Sequence, residues 1–185
     1  MKKTLITVIC TVLVCCGIAG STYAWLMDRT DPVTNTFTAG NINITLSEST
    51  ARNNKMIPGT LISEDPKVTV KANSEDCWLF IKITKSDNFD TFLKYRIEAD
   101  VWHSLENEEG VFYCEVASLD SDQPFYIFSD NKVYVKPGVT KEQYDAIGEE
   151  NQPSLSFTAY AVQRLGFDTP ASAWEEAKNL EYVTL

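Results

Sequence analysis

The side chains that could do chemistry here are few, and their spacing limits that chemistry further. His103 is the single histidine in 185 residues. A zinc peptidase of the H-E-x-x-H kind needs two histidines on one helix face. The segment His103-Ser104-Leu105-Glu106-Asn107 supplies one. A Ser-His-Asp triad could recruit His103, but no nucleophile elbow accompanies it. Next to Trp102, His103 reads as a surface or partly buried aromatic position. No catalytic residue and no metal-ligand set is assigned, and no cofactor is expected. The acidic clusters Glu106-Asn107-Glu108-Glu109, Asp120-Ser121-Asp122 and Glu149-Glu150 lack the spacing of an EF-hand loop, and calcium needs six or more converging oxygens. They read as solvated loops that keep a protein soluble and discourage edge-to-edge sheet association.

Charge and thiols narrow the field further. Sixteen Lys and Arg face 26 Asp and Glu, for a net charge of −10. Nucleic-acid binding needs a basic face that displaces counterions from phosphate, so it is excluded as a main role. Of five cysteines, Cys10, Cys15 and Cys16 fall in the first 24 residues, leaving Cys77 and Cys114 downstream. Outside the cytoplasm these two could form one disulfide. Equally, they could be two buried reduced thiols packing as small hydrophobes.

The N-terminus is a different kind of sequence. Lys2 and Lys3 precede an apolar run from Leu5 to Ala19, followed by Gly20-Ser21-Thr22-Tyr23-Ala24-Trp25. A basic segment, an apolar segment and a small residue before the cut form the pattern of a secretory signal helix. Cleavage is expected after Ala24 or one residue later, with Thr22 and Ala24 in the recognition positions and Trp25 as the new terminus. The alternative is a retained anchor, because Leu5 to Met27 is almost long enough to span a bilayer. Membrane contact is expected only through this uncleaved segment. Losing Lys2 and Lys3 takes the basic count from 16 to 14 and the net charge to −12, over the 161 residues that remain. A chain of that size buries about 70% of its unfolded surface, enough for a core without metal.

The elements that must position these residues are mostly strands. Asn41-Ile42-Asn43-Ile44-Thr45-Leu46 and Lys67-Val68-Thr69-Val70-Lys71 alternate as half-buried strands do. Cys77 to Ile83 is apolar at nearly every position and predicts a central strand covered on both faces. Val111–Val116, Phe125–Phe128, Lys132–Val135 and Ser154–Val162 follow. Turn formers separate them at Pro58-Gly59, Asn73-Ser74, Asp120 to Asp122, Asp130-Asn131 and Pro137-Gly138. About seven short strands predict a mainly β fold, an antiparallel jelly-roll-like β-sandwich with one or two short helices. The helices are placed at Thr140–Ile147, capped by Thr140, and at Thr169–Lys178. In the second, Thr169 caps, Pro170 opens, and Ala173, Trp174 and Ala177 form an apolar stripe. A further helical turn is expected within Asp87 to Tyr95. The chain divides into a signal segment (1–24), an N-terminal arm (25–40) and one β-sandwich domain (41–185).

With those elements in place, Gly20 to Trp25 followed by Asn35-Thr36-Phe37-Thr38-Ala39-Gly40-Asn41-Ile42-Asn43-Ile44-Thr45-Leu46-Ser47-Glu48 resembles the start of the TasA/camelysin family. Met56-Ile57-Pro58-Gly59, the strand pair Val68 to Ile83, and Thr158-Ala159-Tyr160-Ala161-Val162-Gln163 before a Trp174-bearing helix extend the likeness. The chain is shorter than the better-known fibre formers. The resemblance implies export through a SipW-type signal peptidase and a jelly-roll domain at the cell surface or in the biofilm matrix of a Gram-positive bacterium. It also implies assembly with itself, or with related matrix subunits, by addition of one subunit's N-terminal segment to the next subunit's sheet. The arm suits that use: Val33, Asn35, Phe37 and Ala39 fall on one side, with Thr34, Thr36 and Thr38 on the other. It could instead lie on its own domain as an edge strand, or stay disordered. The family also implies an enzymatic alternative, a surface metalloprotease, against which the lone histidine counts. A monomeric surface adhesin is the other alternative, but Trp25, Trp78, Trp102 and Trp174 are scattered as core residues would be. Asn43-Ile44-Thr45 is formally a glycosylation acceptor and reads here as the outward face of an edge strand.

Overall fold

The computed structural model describes residues 41–49, 55–148 and 150–178. The signal segment and the arm, with Thr22, Ala24, Trp25, Val33, Asn35, Phe37 and Ala39, lie outside the described residues. The strands are β1 (Ile44–Ser47), β2 (Leu61–Ser63), β3 (Lys67–Val70), β4 (Cys77–Lys85), β5 (Leu93–Ile97), β6 (His103–Ser104), β7 (Val111–Val116), β8 (Gln123–Tyr126), β9 (Phe128–Val135) and β10 (Leu155–Gln163). Among the described residues three short helices accompany them, α1 (Phe89–Phe92), α2 (Lys141–Asp145) and α3 (Pro170–Ala177). All pairing among the described residues is antiparallel, in sheets ordered β1-β3-β8, β10-β4-β7-β6 and β2-β9-β5. The mainly β, antiparallel architecture is the one that the alternation predicts.

The first and third sheets are two ends of one bent layer. The chain passes from β2 to β3 and from β8 to β9 within a few residues, and Ile127 N–H donates to Pro66 O across the bend at 3.0 Å. Val68, Val70, Ile62, Phe128, Val133 and Val135 from this layer meet Cys77, Leu79, Ile81, Ile83, Cys114 and Val116 of the other in one core. β4 is covered on both faces, as its unbroken apolar run requires. Its odd-numbered residues enter that core. Trp78 and Phe80 face the other way into a second cluster with Tyr160, Val162, Ala173, Trp174 and Ala177, which α3 closes. Thr169 Oγ1 accepts the Ser172 N–H at 3.2 Å and Pro170 opens α3, as expected. Thr140 forms a capping box with Gln143 ahead of α2. The expected turn in Asp87 to Tyr95 is α1.

Two sequence expectations are corrected. Phe125–Phe128 is not one strand: it breaks at Ile127, because residues before the break pair with β3 and those after it with β5. Asp130-Asn131 is not a turn between strands but lies inside β9. Both residues take the left-handed conformation, φ 59° and 53°, an arrangement that costs on the order of 1 kcal/mol per residue. The ladder jumps there from Tyr95↔Val133 to Ile97↔Phe128, so β9 bulges out by several residues. The structure adds three strands, β2, β5 and β6, to those that the sequence pattern predicts. At Gly110 (φ +73°) a Cβ would meet Ile83 O at 2.5 Å, so only glycine fits the turn into β7.

Candidate functional site

The residues of β10, Leu155-Ser156-Phe157-Thr158-Ala159-Tyr160-Ala161-Val162-Gln163, include no charge and no proline. Aromatic and β-branched side chains fit a pleated surface, and all nine residues ladder with β4. On its other side β10 has no ladder partner among the described residues; β1 lies beside it without hydrogen-bonded pairing. Nine residues of strand present about 30 Å of edge. Folded proteins usually blunt such an edge with a short strand, lysine, proline or a bulge. The other edges follow that rule: β1 and β8 have four residues, β8 containing Pro124, β2 has three and β6 two, and β5 presents Lys94 and Arg96. Among the described residues, β10 is the longest edge strand and carries neither charge nor proline, and β1 flanks it without pairing.

A groove of about 700 Å³ opens beside the first residues of this edge. Met56, Ile62, Phe128, Val133, Leu155 and Phe157 give it apolar walls, and Glu48, Lys55 and Glu64 stand at its rim. Phe157 meets Phe128 edge-on at 5.6 Å. The opposite pole is where the described chain begins. Asn41 O accepts the Glu75 N–H at 3.1 Å, and its side chain donates to Asn73 O at 3.3 Å. That pole also holds the end of β10, since Gln163 pairs with Cys77 and Arg164 N–H donates to Asp76 O. Asn41 therefore lies about 30 Å, the length of β10, from the groove.

The residues singled out for chemistry do not come together. His103 is exposed on β6, its ring 5.7 Å from that of Tyr113. Trp102 is buried and its Nε1 donates to Tyr126 O at 2.8 Å. Trp78 and Trp174 are core residues too, and Asn43, just before edge strand β1, and Thr45 within it are exposed. The acidic clusters serve the fold: Asp122 accepts from Lys71 Nζ and from the Ala72 N–H, both at 2.9 Å, and Glu108 pairs with Lys178. The Ala72 N–H and then Lys71 hold the Asp122 carboxyl below its usual range. Glu149 lies outside the described residues. No three His, Cys, Asp or Glu side chains are placed to share a metal ion among the described residues.

Cys77 and Cys114 are free thiols on the inner face of β4 and β7. They sit diagonally, because Cys77 opposes Val116 and Cys114 opposes Leu79. Diagonal neighbours are about 7–8 Å apart, beyond the usual Cα separation of a disulfide. Burial pushes Cys77 up to about 11 and Cys114 to about 12, from an ordinary 9.0. Both are expected to resist alkylation at about pH 8 in the folded protein and to react once denaturant is added. Because the folded state binds these protons more tightly than the unfolded state, stability is expected to fall as pH rises above 9.0 toward about 11 and 12. Rapid labelling of the native protein would contradict this burial.

Sequence reasoning identified β10 as a strand but missed it as a site. The available signal was nine strand residues without a charge. A family model described as camelysin metallo-endopeptidase matches residues 1–124, from the N-terminus through β7 and into β8. It stops before β9, β10, α2 and α3, so the likeness noted at Thr158 to Gln163 and Trp174 falls outside the matched span. No curated protein and no solved structure matches the chain.

Proposed function

The chain belongs to the camelysin family, and from that premise we propose that it is an exported structural subunit of the cell surface or biofilm matrix that polymerises by N-terminal strand addition. The nine-residue edge of β10, without a ladder partner on its outer side among the described residues, carries this reading together with the apolar groove at its start. Backbone hydrogen bonds to such an edge supply affinity, and alternate side chains of the added strand fill pockets. Val33, Phe37 and Ala39 are the arm residues suited to the groove.

Chain direction favours a neighbour over self-pairing. β10 runs from the groove pole to the pole where the arm is joined. An arm folded back on its own domain would run parallel to β10, in a protein whose sheets are otherwise antiparallel. An arm entering the groove from the next subunit would run antiparallel, matching the existing ladders. Such a contact is head-to-tail and does not close, which gives filaments. Its partner is a second copy or a related matrix subunit.

Processing by a SipW-type signal peptidase after Ala24 would free the arm at Trp25. An uncleaved signal helix would tether the arm in the membrane.

The family's description also implies a catalytic metal. A zinc peptidase site takes three protein ligands, typically two of them histidines. One exposed histidine in the whole sequence, with no converging carboxylates or thiols among the described residues, does not fit that ion. No metal-dependent step is assigned, and the role is read as non-catalytic.

Mass spectrometry of the extracellular protein is expected to find Trp25 as the first residue, and the purified protein is expected to leave casein uncut with or without chelator. An intact Met1 on the released protein would overturn the processing step. Chelator-sensitive cleavage of casein would overturn the non-catalytic role.

A further inference from the structure

The outward face of the sheet β2-β9-β5 is cationic on a protein with a net charge of −10. Register places Leu61, Tyr134 and Lys94 in one row across three strands, with Lys132 in the next row beside Ser63. Arg96 stands two residues along β5 from Lys94, on the same face. The inward partners Ile62, Leu93, Val133 and Val135 are buried, so the alternation turns this row outward, with Leu61, Lys94, Arg96 and Lys132 exposed and Tyr134 half-buried. Leu61 is 59% exposed. The Lys94 ammonium lies 4.6 Å over the Tyr134 ring.

The β9 bulge shapes this face. Its left-handed residues Asp130 and Asn131 push the strand outward and leave a shallow groove of about 520 Å³ lined by these side chains. Arg96 is steered by Ser129 Oγ at 3.0 Å and Asp130 Oδ2 at 3.3 Å. Asp130 is the one carboxylate in the groove lining, and its pair with Arg96 is largely exposed, so it holds the guanidinium only weakly. Lys94 and Lys132 have no carboxylate partner among the described ion pairs.

Three cations beside an aromatic ring and a protruding leucine ask for a ligand with both negative charge and a flat C–H face. Nucleic acid fits poorly, because the rest of the protein repels it and three cations release few counterions. A lipid surface would need a broad apolar face, and Leu61 is a single residue. Polyphosphate offers charge but nothing for Tyr134 and Leu61 to cover. We propose that this face binds an acidic polysaccharide, with sugar rings lying against Tyr134 and Leu61 and their carboxylates on Lys94, Arg96 and Lys132. The site is separate from β10 and does not depend on strand addition.

The test uses the full chain in non-ionic detergent with three polymers: polygalacturonate, neutral dextran and polyphosphate. Polygalacturonate is expected to bind most tightly, to weaken as salt is raised, and to lose about tenfold in affinity in the double variant Lys94→Gln, Lys132→Gln. Tyr134→Ala is expected to weaken polygalacturonate while leaving any residual polyphosphate binding unchanged. Lys82→Gln, an exposed lysine off this face, serves as the control, and circular dichroism reports that each variant is folded. Several results would overturn the proposal: no binding of polygalacturonate, equal binding of dextran, polyphosphate binding as tight as polygalacturonate, or a folded double variant that binds like the control.

Discussion

Leu155→Arg is expected to abolish fibre formation while leaving the domain folded. Leu155 is the first residue of β10, half-buried in the wall of the groove. Being partly exposed, it contributes modestly to the fold, so the change should cost the monomer no more than about 1–2 kcal/mol. Assembly is affected far more. Burying one large apolar side chain of the incoming arm is worth about 1.5–3 kcal/mol, and a guanidinium in the groove both displaces that side chain and must itself lose water. Together these weaken each subunit contact by roughly a hundredfold or more. A filament multiplies that loss over every contact. Phe37→Asp, on the donor side, should have the same effect. Electron microscopy and sedimentation read both variants, and fibres at normal yield from either would mean that the groove or the arm is not part of the subunit contact.

Trp174→Ala is expected to have the largest effect on stability. Trp174 is 2% exposed, 5.3 Å from the Phe80 ring and edge-on to Tyr160 at 5.0 Å. Removing a buried tryptophan costs about 3–5 kcal/mol, a large part of the 5–15 kcal/mol that holds a typical domain together. α3 has eight residues, too few to persist without its packing. Its loss should expose the outer faces of β4 and β10 together. A urea titration is expected to show a much lower midpoint for Trp174→Ala, whereas Glu175→Gln, which breaks the more exposed pair with Lys178, should shift it far less. Equal shifts would mean that the helix is held by charge and not by the tryptophan.

The same contrast shows how far the sequence could be read. β4 was legible because an unbroken apolar run has one comfortable place, between two covered faces. α3 was legible because Thr169, Pro170 and the stripe of Ala173, Trp174 and Ala177 are local signals. β5 was not, although Leu93-Lys94-Tyr95-Arg96-Ile97 alternates, because the helical turn of α1 runs directly into it. The bulge in β9 looked like a turn because Asp130-Asn131 has turn chemistry. Only the pairing of Val133 and Phe128 with the same strand, β5, reveals that the chain does not reverse there. The site divides in the same way. Processing residues and an alternating arm are written in local sequence. Whether β10 is an edge depends on which strands lie beside it, which is a tertiary fact.

If one subunit's arm enters the next subunit's groove, two chains that are each defective at one end should complement each other once. Processed Leu155→Arg retains a good arm and a blocked groove, while processed Phe37→Asp retains an open groove and a spoiled arm. Each alone is expected to sediment as a monomer. Mixed in equal amounts, they are expected to form one-to-one dimers and nothing longer, since after a single contact neither free end can continue the chain. A mixture that stays monomeric, or that forms fibres, would contradict strand addition through β10.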